Sequence, residues 1–285
     1  MKTLTSMLAF LVLLFGQLFA QKGVYLKPFI ETTAATTYTY ETQPYNNTPY
    51  FKYEAQKIVW PHRLSPLTLG ILVGYTFNNT ISIETGIAQS GNASGFRLSY
   101  NSIGNDSLTF FPGQQGGSAG TAGIKIPLLV TLPLFKFDSV RLYNSKPFAW
   151  GMRLKLGINF YKQPKGDPFL VMAGFGTDSI IIAPHTRLDV DGGLHTLNDK
   201  SILYQLGIET EFNFKRVKGL CLNLYYLYGR KDLSVINLHV TVNQQINYVF
   251  NTYGRGSGFC LQLSKKIAMK PKKEKTKKGV NDYKN

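Results

Sequence analysis

Three features of the sequence predict an all-β fold, an eight-stranded antiparallel transmembrane β-barrel with long extracellular loops. The first is the stretch Phe-Ala-Trp-Gly-Met-Arg-Leu-Lys-Leu-Gly-Ile-Asn-Phe at residues 148–160. Successive side chains of a strand point to opposite faces. Phe148, Trp150, Met152, Leu154, Leu156, Ile158 and Phe160 therefore share one wholly apolar face, while Ala149, Gly151, Arg153, Lys155, Gly157 and Asn159 share a small, polar or charged one. The second feature is that this pattern recurs along the chain, and the third is that short and long connections alternate between its repeats.

Residues 1–20 read as a signal peptide. Lys2 precedes an apolar run from Met7 to Phe15 that is too short to span a bilayer, and cleavage is expected after Ala20. No Cys sits at that junction to carry a lipid anchor, and no later stretch offers about 20 consecutive apolar residues for a helical span. Any insertion of the exported chain must then be as strands. The expected organisation is a signal peptide at 1–20, a barrel over 21–267 and a Lys-rich disordered periplasmic tail at 268–285.

Strands are expected at 22–34, 66–77, 81–91, 121–135, 147–161, 201–214, 219–229 and 256–267, each long enough for a tilted membrane strand of roughly 9–11 residues. The outward set of the second is Leu67, Leu69, Ile71, Val73, Tyr75 and Phe77, and that of the fourth is Ile124, Ile126, Leu128, Val130 and Leu132. The sixth presents Tyr204, Leu206, Ile208, Thr210, Phe212 and Phe214; the seventh Leu220, Leu222, Leu224, Tyr226 and Tyr228; the eighth Phe259, Leu261 and Leu263. Strands two and three are joined across Asn78 to Thr80, six and seven across Lys215 to Lys218, and four and five across 136–146. The intervening connections, 35–65, 92–120, 162–200 and 230–255, are long. Outer-membrane barrels have short periplasmic turns and long extracellular loops, so both termini are expected in the periplasm.

Two places break the pattern. Outward parity slips near Pro133, a position suited to a bulge. Residues 168–173 and 179–184 are apolar enough either for a hairpin above the membrane or for two further strands of a ten-stranded barrel. A secreted soluble sandwich or lipocalin-like barrel is the rival arrangement and would turn the apolar faces inward. The uniformly aliphatic outer faces, with charges opposite them, argue against it.

Those opposite faces carry Glu84, Lys125, Arg153, Lys155, Glu209 and Glu211. Glu209 and Glu211 project from one face, as an acid–base pair does. An eight-stranded interior is just wide enough for side chains to fill, however, and a barrel-interior charge network with Arg153, Lys155 and Lys125 is the reading adopted. Cys221 and Cys260 are the two cysteines; a symmetric hairpin places them opposite one another, as a disulfide or as two buried thiols.

His62, His185, His195 and His239 fall in expected loops, and Asp189 and Asp191 stand between the second and third of these. A solvated turn around Gly192-Gly193 accounts for that cluster. No nucleophile elbow, phosphate-binding loop or zinc helix motif is present, so neither cofactor nor metal is expected. The net charge of +16 suggests nucleic acid, but nine Lys lie in residues 265–285, where Tyr283 is the sole aromatic, and base stacking is unsupported. Anionic lipid or a periplasmic protein suits such a tail.

The Ala20-Gln21 junction, Gly123-Ile-Lys-Ile-Pro-Leu-Leu-Val130, the alternation of 148–160 and the closing Gly256-Ser-Gly-Phe-Cys-Leu-Gln-Leu263 resemble small outer-membrane barrels of Bacteroidetes, the PorT-like and OmpA-type families. The resemblance covers most of 22–267 and implies an outer-membrane location and a link to type IX secretion. It also gives meaning to Asp106-Ser107-Leu108, Asp138-Ser139-Val140 and Asp178-Ser179-Ile180, which resemble the O-glycosylation sequon of that phylum. The expected function is a non-enzymatic scaffold or interaction protein in contact with outer-membrane lipid and accessory to an envelope or secretion complex. A narrow solute channel is the first alternative, and an enzyme using loop His and Asp residues the second. The small-molecule ligand is left open.

Overall fold

In a computed structural model, the chain is described over residues 23–39, 50–55, 57–59, 68–77, 80–103, 110–140, 147–164, 178–183 and 186–269. The expected signal peptide, most of the Lys-rich tail, residues 168–173, His62 and His185 lie outside these. Among the described residues there are fourteen strands: β1 (Val24–Tyr38), β2 (Phe51–Ala55), β3 (Ile58–Val59), β4 (Thr68–Phe77), β5 (Ile81–Ile103), β6 (Phe110–Val140), β7 (Phe148–Lys162), β8 (Asp178–Ala183), β9 (Thr186–Thr196), β10 (Lys200–Asn213), β11 (Leu220–Gly229), β12 (Ser234–Val242), β13 (Ile246–Lys265) and β14 (Ile267–Ala268).

Eight of them form a closed, antiparallel, hydrogen-bonded ring in the order β1, β4, β5, β6, β7, β10, β11, β13. The ring closes where β13 returns to β1, with Phe29 opposite Ser264 and Ala34 opposite Phe259. Each ring strand contains or overlaps one of the eight expected from alternation. Closure follows from that pattern, since every strand has a neighbour on both sides and none is left with an open edge.

The four connections expected as long loops need correction, because much of their length is ordered strand. β5 runs on to Ile103 and β6 begins at Phe110, pairing without a register shift from Asn92 opposite Thr121 to Ile103 opposite Phe110. The Gly, Ser and Asn of residues 91–95 resemble a loop in composition, yet Phe96 and Leu98 continue the alternation beyond them. β2 adds to this extension, β3 adds to β1, and β12, β9 and β8 build outward from the far half of β13. The result is a second layer at the end of the ring opposite the short turns. Its core packs Phe51 and Tyr53 of β2 and Phe96 and Leu98 of β5 against Leu188, Ile236, Leu238 and Phe250. β8 belongs to this layer and the ring holds eight strands, not ten.

One strand serves both levels. Between Ala35 and Thr37 of β1, the partners on β13 jump from Gly258 to Gly254. Gly256 sits in the resulting bulge with φ near 71°, a region that L side chains rarely adopt. Below the bulge β13 pairs β11 as far as Leu227–Gly258, and above it β13 pairs β12 from Ser234–Gly254. A second bulge separates Pro133 from Phe135, where outward parity slips.

Inside the ring, close approach replaces bulk. Gly74 lies opposite Tyr25 and Gly70 opposite Phe29, and in each pair the aromatic ring occupies the space where a Cβ would stand. Gly207 lies opposite Tyr225 across β10 and β11, and there the Tyr225 Cβ and the backbone of β11 fill that space. Replacing Gly74 with Val would force Tyr25 aside. The expected cost is that of overpacking a core, about 1–3 kcal/mol, read as a lower midpoint in equilibrium unfolding. A Gly91→Val change, with far more space around it, should cost much less.

Candidate functional site

Strand parity fixes which side chains enter the ring. Lys27 from β1, Glu84 from β5, Lys155 from β7 and Glu209 from β10 converge from four strands at one level. Lys27 Nζ lies 3.0 Å from Glu84 Oε1, and Lys155 Nζ lies 3.2 Å from Glu209 Oε2. Lys27 also pairs with Glu209, and Lys155 with Glu84, so each ammonium serves both carboxylates. The Tyr25 hydroxyl donates to Glu84 at 2.8 Å. Side-chain exposure at these four charged residues is 0–1 %, so they are buried.

Two further groups flank this cluster. Toward the second layer, Lys125 is 2.7 Å from Glu31, which also accepts from Tyr225, while Gln262 reaches it at 3.4 Å. Toward the short turns, Arg153 is 2.9 Å from Glu211, and Asn213 donates to the same carboxylate at 3.0 Å. Glu209 is the residue directly opposite Arg153 in register, but the diagonal partner takes the guanidinium and leaves Glu209 to the two lysines. Lys266 stacks 4.1 Å from the Tyr25 ring near this end.

All six residues expected in an interior network thus face inward, but in three groups. Two members were missed: Lys27 and Glu31. Tyr25, Lys27, Phe29 and Glu31 alternate with Leu26, Pro28 and Ile30, so the signal was present in the first strand. Above the central cluster Asn159 donates to Gln205, and beside it Asn223, opposite Glu209, donates to Gln262, both at 3.1 Å. Leu203, Leu227, Leu233 and Tyr161 then pack as an apolar layer at the upper end of the ring.

Cys221 and Cys260 are buried and free, which corrects the disulfide alternative. Cys221 lies opposite Ser264 and Cys260 opposite Tyr225. That offset is four positions along the strand, roughly 13 Å, against an upper limit of about 6.8 Å between bridged Cα atoms. The register of β11 on β13 is displaced by the chain that leaves to form β12, so the hairpin is not symmetric.

The outside of the ring is aliphatic. Leu69, Leu206 and Leu224 are 58 %, 61 % and 59 % exposed, and Ile71, Ile126, Leu128, Ile208, Leu261 and their neighbours continue the band. Aromatic groups border it. Near the short turns Trp150 packs against Phe135 and Phe137, with ring centroids 5.4 and 5.6 Å away, and Phe212 stacks on Phe214. Near the second layer Tyr204 meets Tyr228 and Tyr226 meets Phe259.

On the second layer, strands rather than loops carry His195 and His239. His239 is exposed directly opposite Asp191, and Thr241 lies opposite Asp189, so the sheet turns a polar face outward. Among the described residues no group of three or more His, Cys, Asp or Glu is placed to hold a metal ion. Beneath that face, Tyr53 stacks on Phe250 at 4.2 Å and hydrogen-bonds Thr252, and burial pushes its phenol up to about 12. Tyr53 is therefore a neutral, fixed part of the core. No known protein family matches the chain, and no curated protein is significantly similar to it.

Removing one member of the central cluster leaves a carboxylate without its share of positive charge. Lys155→Met is expected to cost about 3–5 kcal/mol. Arg153→Met should cost much less, because that pair is partly open, at 21 % and 13 % side-chain exposure. The comparison of unfolding midpoints checks the order, and Lys155→Met with Glu209→Gln should recover part of the loss.

Proposed function

We propose that this chain is an outer-membrane β-barrel that acts as a closed, non-enzymatic scaffold, presenting its second layer to a partner. The observation that carries the reading is the inversion of the ring, with charges inside and large aliphatic side chains outside. A soluble monomer rarely exposes a contiguous apolar patch beyond about 300–600 Å², and here the band continues from strand to strand around the whole ring. Lipid is the solvent that suits such a surface.

The dimensions agree. Ten residues lead from Tyr204 on β10 to Phe214, just past its end; at about 3.4 Å each and a tilt of about 40° they span roughly 26 Å, against an apolar band of about 25 Å in such barrels. The aromatic borders stand where interfacial girdles belong. The side with three short turns is read as periplasmic, and the second layer as extracellular.

Scaffold is favoured over channel by the interior. A conducting pore needs a hydrated path, and unpaired groups of one sign would give it selectivity. Here Lys27, Lys125, Lys155 and Arg153 meet Glu31, Glu84, Glu209 and Glu211, and Leu203, Leu227 and Leu233 cover one end. Surface available for recognition then lies on the second layer, whose polar face is held rigid by the aromatic core beneath it. An envelope or secretion-complex protein is the proposed partner, on the resemblance to PorT-like barrels.

Ile208 lies midway between Tyr204 and Phe212. Ile208→Arg should cost about 2–4 kcal/mol for a barrel in lipid and impair insertion, measured by heat-modifiable gel mobility after carbonate extraction. A soluble protein would accept the same change with no loss, and that result would reject the membrane reading. Purified protein in planar bilayers should show no steady conductance. Discrete steps that shift on changing Glu209 would establish a channel instead.

A further inference from the structure

On the outer face of the ring, where β5, β6, β7 and β10 stand side by side, lies a groove of about 820 Å³. That size falls within the roughly 300–1,000 Å³ of small-ligand sites. Its walls are Ile87, Ile124, Ile126, Phe160, Ile202 and Tyr204, continuous with the aliphatic band. Its upper rim is entirely basic: Lys162 ends β7, Lys200 begins β10, and Arg230 and Lys231 follow β11. All four side chains are exposed, and none has an ion-pair partner among the described residues. No carboxylate is among the described residues that line the groove.

Lys162 and Lys200 are moreover direct cross-strand partners on the outward face. Like charges directly opposite destabilise a sheet, and the four-cation rim adds to the repulsion. An anion seated among them would remove it. The apolar walls below call for hydrocarbon attached to that anion.

We infer that this groove binds a single membrane lipid with a phosphorylated headgroup, its acyl chains along Ile124, Ile126, Phe160 and Ile202 and its phosphate among Lys162, Lys200, Arg230 and Lys231. The inference rests on the membrane reading above, which places this rim at the outer leaflet. The charge complementarity selects the headgroup, since phosphate accepts hydrogen bonds and charge from several ammonium and guanidinium groups at once. Lys and Arg stems lie along apolar surface while their heads reach the interface, so the rim can close over the headgroup without burying a cation.

The test uses the full chain purified in a neutral detergent, with bisphosphorylated lipid A, its dephosphorylated form and inorganic phosphate as probes. Native mass spectrometry should show one bisphosphorylated lipid retained per chain. Each cation near an anionic headgroup contributes about fivefold in affinity, so Lys162→Gln with Lys200→Gln should weaken retention about 25-fold. Lys215→Gln with Lys218→Gln, at the opposite end of the ring, should leave it unchanged. The dephosphorylated lipid should be retained far less, and inorganic phosphate should neither raise the unfolding midpoint nor displace the lipid. Equal retention of both lipids, or retention unaffected by the double variant, would overturn the proposal, as would equal stabilisation by inorganic phosphate. Those outcomes are read on protein that needs detergent and keeps its heat-modifiable mobility; protein soluble without detergent would instead sink the membrane reading, and this site with it.

Discussion

Two lysines and two glutamates locked together at one level of the ring are the constraint on which the rest depends. Four strands that are distant in sequence must each deliver one charge to the same small volume. A buried ion left without its partner costs several kcal/mol, so a slip of any of these strands by one residue is penalised twice. It exposes a charge on the aliphatic outer face and removes a counter-charge from the interior. The hydrophobic pattern alone sets which face is which. The charge cluster sets which residue stands at which height, and that is a more specific instruction.

Given that register, the other interior features follow. Room for long Lys and Glu side chains, with Tyr25 and Phe29 beside them, requires the facing strand to carry Gly74 and Gly70 where those aromatic rings lie. Arg153 is diverted to Glu211 because the lysines already occupy Glu209. The neutral amides that remain pair as Asn donating to Gln on neighbouring strands, Asn159 to Gln205 and Asn223 to Gln262. A filled interior is thus a consequence of how the strands are aligned.

Much of this was legible in the sequence because a period of two is a strong signal. The ring strands, their inward charges and the parity slip after Pro133 could each be read from residue order. What escaped was information carried by pairing rather than by pattern. Lys27 and Glu31 lay in a strand whose alternation is diluted by Pro28 and a run of Thr. The extensions of β5 and β6 passed through Gly-Asn-Ala-Ser-Gly, whose composition resembles a loop although its partner strand keeps it extended. The offset of Cys221 from Cys260 depends on where β12 leaves the ring, and no local feature of either strand encodes that. The basic rim joins residues from three segments and exists only once β7 lies beside β10.

The shared strand β13 has a consequence for how the molecule is assembled. It closes the ring against β1, with Gln262 bonding to Glu31 across 231 positions of sequence, and it also supplies the middle of the second layer. Neither level can reach its final pairing until this strand arrives, so both wait on the same segment. Contacts so far apart in sequence form slowly. The bulge at Gly256, where β13 passes from β11 to β12, then works as a clasp through which one late segment fastens both levels.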